Sequence, residues 1–232
     1  VVMDTRFNSS VTDIFRNEYL SPRSPYTTLQ IPKQGIGEWC HPLHTVDIND
    51  AGLRSSVQNG ILNTELGIPF RTPAEGHNVA FTSLWDNYPD SLEIPLKGKA
   101  SRAYLLMAGS TNHMQCHIDN GVIRIYYKDG TRDVMFLRNP DNWPPIEHIF
   151  FEDGLAFNRH TPALYRLRLK TGEISNNFGE ELGFPGASRE LDGGAAVLLE
   201  MPLSPGKKLS HLVLETLSND VVIGLMSITL QR

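Results

Sequence analysis

The sequence predicts an all-β sandwich, on three observations. Short apolar runs rich in branched and aromatic side chains recur along the chain. Gly, Asn, Asp and Pro clusters separate them. A helical period is almost absent between the runs. Short strands divided by turn signals indicate a sandwich, and the lack of intervening helices excludes a doubly wound α/β sheet. The 232 residues suit one large β-domain, or a domain with a substantial extension, and suffice for a core without disulfides or metal.

Residues 1–42 show little periodicity. Pro22, Pro25 and Pro32 with Gly35 and Gly37 describe an extended arm with turns, because proline removes a donor and restricts its predecessor. Tyr19, Leu20, Tyr26, Leu29, Ile31, Ile36 and Trp39 are too many apolar residues for a solvated tail. The expected organisation is therefore an N-terminal arm, 1–42, packed on a sandwich domain, 43–232. A short helix is expected over 12–19. Strands follow at 44–48, 68–70, 78–84 and 91–96.

The central stretch, 98–137, supplies strands at 102–108, 122–127 and 132–137. Asp129-Gly130 between the last two predicts a type I′ hairpin turn, which needs positive φ at both central residues. A strand at 164–170 and a long Gly-, Asn- and Glu-rich loop at 175–194 come next; a loop of that length marks a functional or mobile segment. Strands at 195–201, 208–217 and 221–230 close the sequence. His211, Val213 and Glu215 alternate with Leu212, Leu214 and Thr216, a half-buried pattern, and Ser218-Asn219-Asp220 is read as the turn of a final antiparallel hairpin.

Charge limits the partners. Lys and Arg total 21 against 26 Asp and Glu, a formal charge of −5, which argues against nucleic acid. No run approaches the roughly 18 apolar residues of a membrane span. The start, Val1-Val2-Met3-Asp4, has neither a basic nor an apolar leader region, so an export signal has been removed or the chain is a piece of a longer protein. Cys40 and Cys116 allow one bridge or two buried thiols.

The motif order resembles a known family. Gly67-Ile68-Pro69-Phe70, Asn78-Val79-Ala80-Phe81, the run 100–108 (ASRAYLLMA), Ile125-Tyr126-Tyr127-Lys128-Asp129-Gly130-Thr131 and a Trp143 loop succeed one another. This resembles the galactose-binding-like jelly-roll domains attached to large glycoside hydrolases and polysaccharide-utilisation proteins of gut bacteria. More closely, it looks like the C-terminal β-sandwich of a family of large bacterial proteins thought to act on glycans. The likeness covers about 67–230, and Met107 stands where the pattern has His. It implies a non-catalytic carbohydrate-binding or structural accessory domain of a secreted, periplasmic or cell-surface protein. The implied partners are a glycan and the neighbouring domains of a longer chain.

Loop composition nominates the contacts. Trp85, Asp86, Tyr88, Asn112, His113, Trp143 and His148 are expected at one end of the sandwich, where aromatic faces stack on sugar rings and polar groups bind hydroxyls. The competing reading makes the aromatics plugs in the core. Cys40, His41 and His44, with His113, Cys116 and His117, hold zinc-type ligands, but their spacing matches no standard site and no metal is assigned. Asp47-Ile48-Asn49-Asp50-Ala51-Gly52 is read as an Asx-rich turn, with structural calcium as the alternative. No cofactor is otherwise expected. No G-x-S-x-G, H-E-x-x-H or P-loop is present. Glu147, Glu152, Asp153, Glu180 and Glu181 are the carboxylates open to the rival reading, a glycoside hydrolase. A broad apolar sheet face would instead mark a domain that only packs on a catalytic neighbour.

Overall fold

The computed structural model describes residues 1–17, 46–111, 115–147, 149, 158–181, 190–219 and 221–232. Helix α1 (Ala51–Ser55) precedes β1 (Val57–Gln58), β2 (Ile61–Asn63) and β3 (Pro69–Arg71), which form a small three-stranded sheet. Then come β4 (Ala80–Ser83), β5 (Ser91–Pro95), β6 (Arg102–Thr111), β7 (Gly121–Tyr127) and β8 (Arg132–Leu137). β9 (Arg166–Arg168), β10 (Ile174–Ser175), α2 (Phe178–Glu181), β11 (Ala195–Pro202), β12 (Leu209–Thr216) and β13 (Val221–Gln231) complete the described elements.

A six-stranded antiparallel sheet, β10-β9-β11-β6-β13-β4, faces a four-stranded one, β5-β12-β7-β8, which makes the all-β sandwich. Leu105, Met107 and Leu225 of the first meet Ile123, Ile125, Leu212 and Leu214 of the second. The outer face of the six-stranded sheet is also covered. Leu106, Ala108 and Val222 lie under Val11, Ile14, Leu53, Leu62 and Phe70 from residues 1–17, α1 and the small sheet. This double covering is why β6, β11 and β13 read as near-continuous apolar runs, whereas β12 alternates. Each fully buried Leu, Ile or Phe there contributes about 1.5–3 kcal/mol relative to exposure.

The outer face of the four-stranded sheet is wet. Arg124 pairs with Glu215, Tyr126 stacks on His211 at 4.6 Å, and Arg132 lies over the Tyr126 ring. Among the described residues this face is therefore interrupted by charge, not broadly apolar.

Several expectations are corrected. Strands β12 and β13 do not pair as a hairpin: β12 lies between β5 and β7, and β13 between β6 and β4 in the opposite sheet. Residues 217–219 cross the sandwich, because β13 buries both faces and needs the covered sheet, while β12 buries one. The β7–β8 turn is not type I′. Gly130 has φ +84° but Asp129 is not left-handed, and Asp129 Oδ1 instead accepts from Thr131 N (2.9 Å) and Oγ1 (2.6 Å). Such a short loop ending in a left-handed glycine gives the same reversal with one positive φ.

The expected helix at 12–19 is a 3₁₀ turn, Val11–Asp13, as far as residue 17; the rest lies outside the described residues, as does most of the arm. Of the expected strand at 44–48, His44 and Thr45 lie outside them, and Ile48 makes one parallel bridge to Gly193. The expected loop 175–194 begins with the end of β10 and α2, and residues 182–189 lie outside the description. Among the described residues no helix is long and apolar enough to cross a membrane.

Candidate functional site

The strands bring four connections to one end. β4 ends at Ser83 and β6 at Thr111, and β13 starts at Val221, with Ser83 opposite Val222 and Thr111 opposite Val221. In the facing sheet Gly121 of β7 lies opposite Leu137 of β8 and Thr216 of β12. Thr82 Oγ1 and Thr216 Oγ1, 2.7 Å apart, tie the two sheets at this level. Of the residues nominated from sequence, Trp85, Asp86, Tyr88 and Trp143 belong to connections at this end. Asn112, His113 and His148 lie outside the described residues.

The aromatics are used for packing. Trp143 is completely buried. A Cβ on Gly109 would fall 2.6 Å from its ring, so the glycine makes the space that the indole fills. Trp143 therefore offers no face to a ligand. Tyr88 is also buried, against Phe81 with ring centroids 5.1 Å apart, and its hydroxyl accepts from Asn17 Nδ2. Trp85 is half-buried and its Nε1 donates to the Asn219 carbonyl at 3.0 Å, on the crossing between the sheets. Asp86 is exposed.

Instead, the connection after β8 builds the site. Arg138 donates from its backbone N–H to Asn142 Oδ1 (2.8 Å) and from Nε to Asp119 Oδ1 (2.6 Å), pinning this segment to the β6–β7 connection. The His117 N–H donates to the Asn139 carbonyl at 2.8 Å, and Cys116 bridges Asn139. Buried Asn120 fastens the same connection from inside, accepting from Thr111 Oγ1 and donating to the Gln115 carbonyl, both at 3.0 Å. Asp141 Oδ1 accepts from the His160 N–H (2.7 Å), and its carbonyl accepts from Thr161 Oγ1 (2.6 Å).

The result is a cluster that sequence reading did not assemble. His117 Nδ1 lies 3.9 Å and His160 Nδ1 3.7 Å from Asp141 Oδ2, and the imidazole centroids are 4.6 Å apart. One possible ligand atom from each residue lies within 4.8 Å of the others. His117 holds a left-handed φ of +56°, a conformation uncommon outside glycine, though His adopts it more readily than most residues. Close by in sequence, Gln115 Oε1 and Asn139 Oδ1 are buried acceptors with no hydrogen-bond partner among the described residues.

A cleft of about 240 Å³ opens beside this cluster. Pro140 and Arg159, the neighbours of Asp141 and His160, line it together with Arg166, Asn176, Asn177 and Phe178. Its described lining contains no carboxylate. Glu147 is sealed in the protein nearby and accepts from Ser110 Oγ at 2.9 and 3.1 Å. Burial lifts its carboxyl to about 7, against the hydrogen bonds and the Arg166 charge that favour ionisation. Arg166 donates from Nη2 to the Pro145 and Ala195 carbonyls, and burial lowers its guanidinium to about 10, so it remains a cation at neutral pH. Through these carbonyls Arg166 ties the cleft wall to the connection after β8 and to β11.

The other nominated chemistry is engaged elsewhere. Asp47 pairs with Arg16, while Asp50 accepts from Arg54 Nε and Asn78 Nδ2. Asn49 Oδ1 accepts from the Ala51 N–H, so this stretch forms an Asx turn at the head of α1. Cys116 Sγ accepts from Asn139 Nδ2 at 3.5 Å; Cys40, His41, Glu152 and Asp153 lie outside the described residues. Glu180 and Glu181 accept from Asn177 Nδ2 and Ser175 Oγ. A larger groove of about 720 Å³, between residues 1–6, 94–97 and 229–232, lies at the other end of the sandwich.

Comparison of the chain with protein-family models, with curated proteins and with solved structures returns no match.

Proposed function

We propose that the chain is a non-catalytic carbohydrate-binding module, a jelly-roll of the galactose-binding-like kind, serving a larger secreted glycan-degrading protein. The observation that carries this reading is the cleft between the connection after β8 and the β9–β10–α2 edge of the six-stranded sheet, lined by amides, guanidinium groups and apolar side chains. Such a mixture suits a sugar, whose hydroxyls need directional partners and whose ring carbons need apolar contact. Arg166 is buried and bonded to two carbonyls, so among the described lining it is the half-buried Arg159 whose guanidinium favours saccharides bearing carboxylates.

Two observations weigh against the alternatives. Glycoside hydrolysis requires a pair of carboxyl groups flanking the bond, whereas the described lining has none and Glu147 is sealed away. A domain that merely packs on its neighbour calls for a broad apolar face, and the outer sheet face is interrupted by Arg124, Glu215, Arg132 and His211.

Affinity electrophoresis of the purified chain through gels of neutral and uronic-acid polysaccharides tests the proposal. Retardation is expected on at least one uronic-acid gel, and is expected to vanish in Arg159→Ala and Asn177→Ala. Full mobility in every gel would remove the binding reading and leave a structural domain.

A further inference from the structure

The geometry points to a second site, independent of the saccharide reading: His117, Asp141 and His160 bind a divalent transition-metal ion of the zinc class. Two imidazoles and one carboxylate are the donor set that suits zinc and its first-row neighbours, not calcium or magnesium, which take mostly oxygen ligands. Zinc bonds of about 2.0–2.1 Å place tetrahedral ligand atoms roughly 3.3 Å apart. The observed separations of 3.7 and 3.9 Å to Asp141 Oδ2 exceed that by less than 1 Å. The His160 side chain is 63% exposed and therefore has room to close the difference by rotation.

The surrounding bonds orient the donors before any ion arrives. The His160 N–H occupies Asp141 Oδ1 and leaves Oδ2 facing both imidazoles, the kind of outer-sphere support that sets carboxylate ligands. His117 is held from its own backbone by Asn139, in the left-handed conformation noted above. The third observation is the pair of buried acceptors, Gln115 Oε1 and Asn139 Oδ1. Buried acceptors with no donor among the described residues call for a water or a bound group, and each lies two residues from a ligand, Gln115 from His117 and Asn139 from Asp141.

The three ligands found among the described residues leave a coordination position open, as in zinc sites that accept an outside donor. The ion would therefore carry water or an oxygen donor of a bound molecule. Because Pro140 and Arg159 line the cleft, the open position is expected near its lip.

The test uses the untagged chain, stripped with chelator and titrated with Zn²⁺ by calorimetry and with Co²⁺ by absorption. One equivalent of either ion is expected to bind. His117→Asn, Asp141→Asn and His160→Ala are each expected to weaken binding at least about tenfold, the lower limit for losing even a supporting contact. Asparagine tolerates the left-handed backbone at 117, and Asp141→Asn keeps an acceptor for His160, so these variants are designed to fold; unchanged thermal melts without metal verify that. Cys116→Ser is expected to bind as the parent does, and the Co²⁺ spectrum to lack a thiolate charge-transfer band. Absence of a stoichiometric isotherm would overturn the site. So would binding that survives all three ligand variants, or binding that follows Cys116.

Discussion

At one end of the sandwich Tyr127, Asp133 and Ser204 close on one another; at the other, His117, Asp141 and His160 approach without closing. The first group sits where β7 turns into β8. Tyr127 donates to Asp133 Oδ2, the Ser204 N–H donates to the same oxygen at 2.8 Å, and Ser204 Oγ donates to Oδ1 at 3.0 Å. Burial opposes the Asp133 charge, yet these bonds outweigh it and hold its carboxyl below the usual range. Here each polar group is answered by another, and the connection is short. At the loop end the connections are long and the Asp141 oxygen stops 3.7–3.9 Å from two imidazoles. The first cluster satisfies itself and stabilises the fold; the second has the spacing on which the metal site proposed above rests.

The comparison can be broken most severely through its shared support. Trp143→Ala empties the buried volume behind the loop end and is expected to cost about 3–5 kcal/mol, read from urea unfolding. A loss under 1 kcal/mol would mean that the indole does not hold the connection after β8.

Glu147→Gln isolates the buried carboxyl. The folded carboxyl titrates at about 7 against an ordinary 4.5, so the folded state binds more protons between those values. Its contribution is full below about pH 4.5 and is lost as pH rises through 7, a difference of up to about 3 kcal/mol. Unfolding midpoints of the parent should therefore fall between pH 5 and pH 8 relative to those of the Gln variant. Parallel profiles would show that burial does not shift this carboxyl.

Asp133→Ala leaves Ser204 and Tyr127 without their acceptor and is expected to cost about 1–3 kcal/mol at pH 7. Because the folded carboxyl is depressed, the parent's advantage over this variant should shrink as acid protonates it. Thermal melts at pH 7 and pH 3 measure both. His160→Ala has the smallest expected effect, within about 0.5 kcal/mol without metal, since the side chain is exposed. Equal losses at Asp133 and His160 would erase the contrast between the two ends.

Much of the architecture was legible. Branched and aromatic runs located β6, β7, β8 and β11 to within a few residues, because burial on a pleated surface selects those side chains locally. What they could not show was the partner of each strand. Residues 217–219 look like a hairpin turn, and only the continuous burial of β13 sends it to the other sheet. The small sheet β1–β3 was largely missed because two- and three-residue strands leave no period. For the site, composition nominated Trp143 and Tyr88, which the structure buries: a loop tryptophan that stacks on sugar and one that plugs a core look alike in sequence. His117, Asp141 and His160 are separated by roughly twenty residues at each step, so no local spacing connects them. The backbone bonds from Asn139 and Asp141 do.

The place of β13 has a consequence for the order of events in the cell. It is wedged between β6 and β4, and a bond such as Ser101 Oγ to the Gln231 carbonyl joins residues 130 apart in sequence. A ribosome that has released β6 must add more than a hundred further residues before that edge can be covered. During this interval β6 presents open backbone groups and two apolar faces, the features that invite pairing with another chain. Spontaneous refolding should be slow for the chain's size, since loop closure must precede the central pairing. The strand that locks the sandwich is thus also the one that leaves its newborn chain most in need of a chaperone.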